Sequence, residues 1–287
     1  MIATIDDIKS IAIIGAGTMG QGIAQISALA GFKTMLFDID PDALANAAKL
    51  IERSFGKGVE KGKISEEDKK AAISKIAFIK ELNLVKADFI IEAVVEKLEV
   101  KQSIFKSLEE VNSKSTILAS NTSSIPITQI AAELSRPENF VGMHFFNPAH
   151  IMKLVEVISG VATTSQTADI TRNLALKLGK VPVSAADSPG FIVNRVARHF
   201  YVESLKVLEE GVADVESIDK LIRASGFKMG PFELMDLIGV DTNFSVTTSM
   251  FNAFHQDSKF RPSRIQQQKV AAGHHGRKSG KGFYNYE

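Results

Sequence analysis

Short apolar, β-branched runs alternate with amphipathic stretches through the first two-thirds of the chain. The runs predict strands at Ser10–Ile14, Lys33–Phe37, Asp88–Ile91, Thr116–Ala119, Phe140–Phe145, Leu154–Ile158 and Val181–Ser184. Between several of them, segments such as Gly20–Ala30 and Pro41–Phe55 carry apolar residues at helical spacing. Strands alternating with helices imply crossover connections, and so a doubly wound, mainly parallel α/β sheet. The texture changes after Asp187-Ser-Pro-Gly. Pro189 suits the first turn of a helix, and no strand pattern follows it. Helices are predicted at Phe191–Glu210, Ser217–Ala224, Phe232–Ile238, Phe244–Phe254 and Pro262–Ala271, with Gly211, Gly226 and Gly273 at or near their ends. The expected organisation is an α/β domain over residues 1–186, with a helical hairpin near 41–75, followed by a smaller all-helical domain over 187–287.

Composition narrows the classes of partner. The 34 basic and 33 acidic side chains nearly cancel, so no whole-molecule field draws in nucleic acid or an anionic membrane. Any anion site has to be built locally. The apolar runs IAIIGAG and FIIEAVV are too short and too interrupted to span a bilayer. The first strand begins within about ten residues of Met1, which leaves no room for a leader peptide. With no cysteine there is neither a disulfide nor a thiolate zinc site, and no metal is expected. A cytoplasmic protein fits these features, with a processed matrix form as the alternative.

The run Ile11–Ile14 leads straight into Gly15-Ala16-Gly17-Thr18-Met19-Gly20 and then a helix. A glycine pattern alone is weak, but strand, turn and helix together are the context that a dinucleotide site of Rossmann type requires. Gly15 makes the tight turn, Gly17 lets backbone approach a pyrophosphate, and Gly20 lets helix pack on strand. The next strand ends in Asp38, eighteen residues beyond Gly20, where a carboxylate can receive ribose hydroxyls and repel a 2′-phosphate. NAD is the cofactor this favours; some FAD proteins share the fingerprint.

Two further strands end in polar residues. TILAS runs into Asn121-Thr122-Ser123-Ser124, and FVGM runs into His144-Phe-Phe-Asn147-Pro148. Ligands of open α/β sheets bind beyond the carboxyl ends of strands, so both tips face a cofactor crevice. Of the six histidines only His144 sits at such an end, where an acid/base for alcohol oxidation would be placed. Spacing alone does not separate that role from a core-edge histidine satisfied by backbone. In the following strand, Glu156 shares a face with Leu154 and Ile158. A carboxylate on an apolar face needs a partner, and the imidazole of a neighbouring strand end is one candidate; a solvent-facing sheet edge is the other.

GAGTMG, ASNTSS, GMHFFNP, MKLVEV, DSPGFIVNR, GPFELMDLIGVD and GKGFYNY occur in order along nearly the whole chain. Together they resemble the 3-hydroxyacyl-CoA dehydrogenases, and are most similar to the short bacterial 3-hydroxybutyryl-CoA dehydrogenases. The resemblance implies NAD-dependent hydride transfer at C3 of an acyl-CoA, with His144 as the acid/base and Glu156 as its orienting partner. It further implies that Ser123 contacts substrate and nicotinamide, that Asn194 holds substrate, and that cofactor contacts include Asp38, Glu96, Lys101, Asn147 and Lys278. The family's VEN reads Val95-Glu96-Lys97 here.

Lys49, Arg53, Lys57 and Lys61 recur every four residues and form one cationic ridge if helix continues through them. By itself the pattern favours a solvated charged face over a phosphate site. The resemblance implies coenzyme A binding on this hairpin, through Ser54 and Lys61, and a homodimer or higher homo-oligomer formed by the helical domain. Two rivals remain at this point: a 3-hydroxyacid dehydrogenase of the phosphogluconate type, and a non-catalytic NAD-binding protein on the same scaffold.

Overall fold

An eight-stranded sheet organises the chain as far as Ser188 in the computed structural model, which describes residues 2–286. Its strands are β1 (Ser10–Ile14), β2 (Lys33–Phe37), β3 (Ile76–Ile79), β4 (Phe89–Glu92), β5 (Ile117–Ser120), β6 (Phe140–Phe145), β7 (Leu154–Ser159) and β8 (Val181–Ala186). They lie in the order β3-β2-β1-β4-β5-β6-β7-β8. The first six are mutually parallel; β7 turns back antiparallel to β6, and β8 follows β7 in parallel. This is the doubly wound order, whose direction of winding reverses between β1 and β4, and the crevice at that switch point is where such sheets bind ligands.

Helices α1 (Thr18–Leu29), α2 (Pro41–Glu60), α3 (Glu66–Ile73), α4 (Leu98–Val111), α5 (Ile127–Ala131) and α6 (Ser165–Lys177) connect the strands. They cover both faces of the central strands. Ile11–Ile14 and Phe89–Ile91 are buried, which is why these runs are continuously apolar rather than alternating, and Glu92, buried as well, closes β4. The edge strand β3 escapes the sequence pattern because its two middle residues, Ala77 and Phe78, are exposed.

α2 shows how the hairpin forms. Asp40 caps it by accepting from Asp42 N at 2.9 Å, and Pro41 occupies its first turn. Leu44, Ala47, Ile51 and Phe55, three or four residues apart, form its buried stripe. Burying each of the three large ones contributes roughly 1.5–3 kcal/mol. Ser65 and Asp68 then make a reciprocal capping box at the start of α3.

The second unit, Pro189–Glu287, contains α7 (Val193–Glu209), α8 (Val215–Ala224), α9 (Pro231–Ile238), α10 (Val240–Ala253) and α11 (Arg264–Ala271). Among its described residues there is no strand, only isolated bridges at Gly276–Lys281 and Lys281–Asn285. The first helix begins later than Pro189 suggests: Gly190 and Phe191 take φ of 74° and 49°, and that left-handed turn delays it to Val193. Two buried carboxylates pin the end of the chain. Asp219 accepts from Tyr284 Oη, and Asp236 accepts from Phe283 N, Tyr284 N and Tyr286 Oη.

Candidate active site

β1 enters the glycine turn with Gly15 at φ 105°, where a Cβ would sit 2.6 Å from Ala93 O. At Gly20 a Cβ would come within 1.8 Å of Gly15 O. Packing therefore demands glycine at both. Gly17 is different: a Cβ there would meet nothing within 4 Å, so the protein itself leaves that space open. It stands at the amino end of α1, where the N–H groups of Thr18, Met19 and Gly20 have no carbonyl a turn back within the helix. That is the donor set a pyrophosphate needs. Asp38 closes the far side of the turn. Its Oδ2 accepts from Ala16 N at 2.7 Å and its Oδ1 from Asp40 N at 3.0 Å, fixing a carboxylate at the end of β2. A cleft of about 460 Å³ opens here, lined among others by Gly17, Gln21, Ser54 and His150.

Across the crevice, β6 and β7 place His144 and Glu156 directly opposite one another in antiparallel register. His144 Nδ1 and Glu156 Oε2 are 2.7 Å apart, and the two residues are only 5% and 1% exposed. Because β8 covers the outer side of β7, the carboxylate does not lie on a solvent-facing edge. Its partner is the imidazole. With Nδ1 engaged by the carboxylate, Nε2 is the ring atom through which a proton can pass to a substrate. The Phe146 ring packs against the imidazole at 4.5 Å between centroids.

The turn after β5 is tied to the same place. Asn121 Oδ1 accepts from Phe145 N at 2.8 Å, next to His144 in β6. Glu96 Oε1 gathers Thr122 Oγ1 at 2.6 Å, Ser123 N at 2.9 Å and Ser124 N at 3.1 Å. Burial pushes the Glu96 carboxyl up, but Lys101 and the hydrogen bonds from Thr122 and Ser123 outweigh it and hold the group below its ordinary range. The Lys101 ammonium lies between two carboxylates, 2.6 Å from Glu92 Oε1 and 3.2 Å from Glu96 Oε2, and the residue is 1% exposed. Ser120 Oγ donates to the other oxygen of Glu92 at 2.6 Å. Sequence reading missed Glu92 and Ser120 in this network. The one available signal was an acid closing the apolar run FIIE.

Asn147 is exposed on the loop after β6. Below that loop, Lys180 Nζ donates to the carbonyls of Ala149 and Met152. Burial, with Lys153 nearby, pushes this lysine down to about 8. His150 is also pushed down, by burial first and then by Lys180 and Lys63. Lys49, Arg53 and Lys57 are exposed on α2, and Lys61 follows just beyond its end, so the helix does carry the basic ridge. On the second unit, Asn194 lies in the first turn of α7, and Lys278 Nζ is 2.7 Å from the Asp241 carboxylate. No group of histidines and carboxylates among the described residues could hold a metal ion, and no described helix is long and apolar enough to cross a membrane.

Comparison with known proteins agrees with this arrangement. Residues 10–188 match the 3-hydroxyacyl-CoA dehydrogenase NAD binding domain, and residues 190–286 match the 3-hydroxyacyl-CoA dehydrogenase C-terminal domain. The chain is 47% identical over 282 residues to 3-hydroxyadipyl-CoA dehydrogenase of Escherichia coli, covering 98% of this chain but 59% of that longer protein. It is 43% identical to the probable 3-hydroxybutyryl-CoA dehydrogenase of Bacillus subtilis, with 98% of both chains covered. The crystal structure of (S)-3-hydroxybutyryl-CoA dehydrogenase PaaH1 from Ralstonia eutropha superposes with a TM-score of 0.94 at 39% identity, covering 98% of this chain and 99% of that one.

Proposed function

This chain belongs to the NAD-dependent 3-hydroxyacyl-CoA dehydrogenases, and we propose that it interconverts (S)-3-hydroxybutanoyl-CoA and acetoacetyl-CoA in butanoate and fatty-acid metabolism. The observation that carries the reading is the buried His144–Glu156 pair at 2.7 Å, on neighbouring strands at the edge of the dinucleotide crevice. NAD supplies the hydride acceptor or donor for C3 of the substrate. In the oxidation direction His144 takes the hydroxyl proton as the C3–H bond gives up hydride; in reduction it returns a proton to the forming alkoxide. Glu156 holds the ring in one tautomer and stabilises its protonated form.

The first-turn N–H groups of α1 and the Gly15–Gly20 turn hold the pyrophosphate, and Asp38 receives the adenosine ribose. On the first unit Glu96, Lys101, Ser123 and Asn147 serve the cofactor, and Ser123 also the acyl group. On the second unit Lys278 is a cofactor residue and Asn194 a substrate residue. Ser54 and Lys61 meet coenzyme A, as half-buried Ser54 in the cleft wall and exposed Lys61 at the end of the ridge allow. Exposed apolar side chains on the helical unit, among them Val196, Val212, Leu221 and Phe227, suit association with a second copy, and the enzyme acts in the cytoplasm. The direct test follows NADH absorbance with acetoacetyl-CoA, and then with longer 3-oxoacyl-CoA esters. Turnover that is fastest with acetoacetyl-CoA supports the reading. A chain that binds NADH but turns over none of these esters is a binding protein, and the reading fails.

A further inference from the structure

Glu92 closes β4 with a carboxylate that is 0% exposed, at the switch point of the sheet. An interior charge is costly unless it is paired and fully hydrogen-bonded. Glu92 meets both conditions. Oε1 accepts from Lys101 Nζ at 2.6 Å and Val94 N at 2.7 Å, and Oε2 accepts from Ser120 Oγ at 2.6 Å. Two connections run from this carboxylate to the Asn121–Ser124 turn. One goes through Ser120 Oγ, which accepts from Thr122 N at 3.2 Å. The other goes through Lys101 to Glu96, whose Oε1 collects the amides of Ser123 and Ser124. One ammonium thus serves two carboxylates, one buried and one 36% exposed.

The geometry points to Glu92 as a positioning residue for the reaction: it fixes the Lys101 ammonium, which aims Glu96, which in turn holds Ser123 in place. The assignment rests on the dehydrogenase reading of Ser123. Glu92 touches neither substrate nor cofactor. Without its charge, Lys101 has only Glu96 to neutralise, and the Glu96 carboxylate is drawn away from the serine turn towards the helix. In a purely structural ion pair, replacing both partners by apolar groups of similar size commonly restores stability, and activity would return with it.

Two variants separate the alternatives: Glu92→Gln, and Glu92→Leu combined with Lys101→Met. Thermal melting, NAD+ affinity by titration calorimetry, and kcat and KM with acetoacetyl-CoA and NADH are measured on each. Glu92→Gln should lower kcat by about tenfold or more, on the scale at which a 1 Å misplacement costs about a hundredfold. It should weaken NAD+ by about fivefold or more. The double variant should recover the parent's melting temperature yet keep the low kcat, because Glu96 has lost its aim. A double variant with parental kcat, KM and NAD+ affinity would make the pair structural and overturn the assignment. So would a Glu92→Gln enzyme that matches the parent in all three, which settles the matter even if the double variant does not fold. If the parent itself fails to reduce acetoacetyl-CoA, the substrate reading falls, and NAD+ affinity in Glu92→Gln still decides the role of Glu92: unchanged affinity refutes it.

Discussion

Glu156→Gln isolates the charge of the proposed acid–base pair from its shape. Glutamine has the same length and branching, and the site is 1% exposed, so the variant fills the same space without a cavity. Its amide oxygen can still accept from His144 Nδ1, now 2.7 Å from the carboxylate. What is lost is the charge. A hydrogen bond to a charged group contributes about 1.5–3 kcal/mol against about 1 for a neutral one, so the loss is at least about 0.5 kcal/mol. The upper bound is the attraction of unit charges 4 Å apart at an effective dielectric of 20, about 4 kcal/mol. If the full imidazolium charge develops at the transition state, kcat should fall between about twofold and a thousandfold, at 1.36 kcal/mol per decade. Steady-state kinetics over pH 6–9 measure it, and the profile should move because a charge beside the ring is gone. His144→Ala should lose most turnover while NADH still binds, and the double variant should lose little more than His144→Ala, since groups that act as a unit are not additive. A Glu156→Gln enzyme with the parent's rate and pH profile would leave the mechanism with its histidine alone.

Three further outcomes follow from the geometry. Asp38 should make NADH preferred over NADPH by about a hundredfold in kcat/KM, because juxtaposed like charges cost several kcal/mol; equal efficiencies would remove that role. Changing Lys57 and Lys61 together to alanine should raise KM for acyl-CoA about two- to thirtyfold at low salt, at 0.2–1 kcal/mol for each exposed charge. The effect should fade at 1 M salt and leave NADH affinity unaltered, and an unchanged KM at low salt returns the ridge to ordinary solvated surface. Lys180, held at about 8 when folded against 10.5 when unfolded, binds less proton in the native state between those values. Its contribution to stability therefore rises with pH through that window, by at most about 3 kcal/mol. Urea midpoints of the parent should climb relative to Lys180→Met from pH 8 to 10, and parallel curves would contradict the assignment.

Much of the α/β unit was legible because its central strands are buried on both faces. β1 and β6 fall where the apolar runs predict, since near-continuous burial leaves an uninterrupted signal, and β2 does so although Lys33 is exposed and Met35 half-buried. β3 was not legible, because an edge strand with Phe78 exposed carries neither continuous burial nor a clean alternation. For the site, the glycine turn and Asp38 could be placed from order and spacing alone. The pairing of His144 with Glu156 could only be offered as one candidate. Sequence shows a charge on an apolar face, but register is a property of two strands, set by the reversal of β7. Glu92 was invisible for a related reason: its partners, Lys101 in α4 and Ser120 in β5, meet it only once the crossovers are closed. Lys101 entered through the family resemblance as a cofactor contact, and nothing in its sequence neighbourhood foretold that its ammonium would be enclosed by two carboxylates.

The antiparallel turn from β6 to β7 has a consequence for how the chain reaches its final state. Side chains in a strand alternate faces, so a slip of one residue would set Val155 or Val157 opposite His144 and swing Glu156 to the other side of the sheet. There the carboxylate would be buried without its imidazole, a defect of roughly 3–5 kcal/mol for a broken interior pair. That is a large part of the 5–15 kcal/mol that separates a typical native domain from its unfolded ensemble. The misaligned hairpin is thus rejected by the same two groups that are joined in the correctly aligned one, and a molecule that has folded has, by that fact, already assembled the pair proposed to do its chemistry.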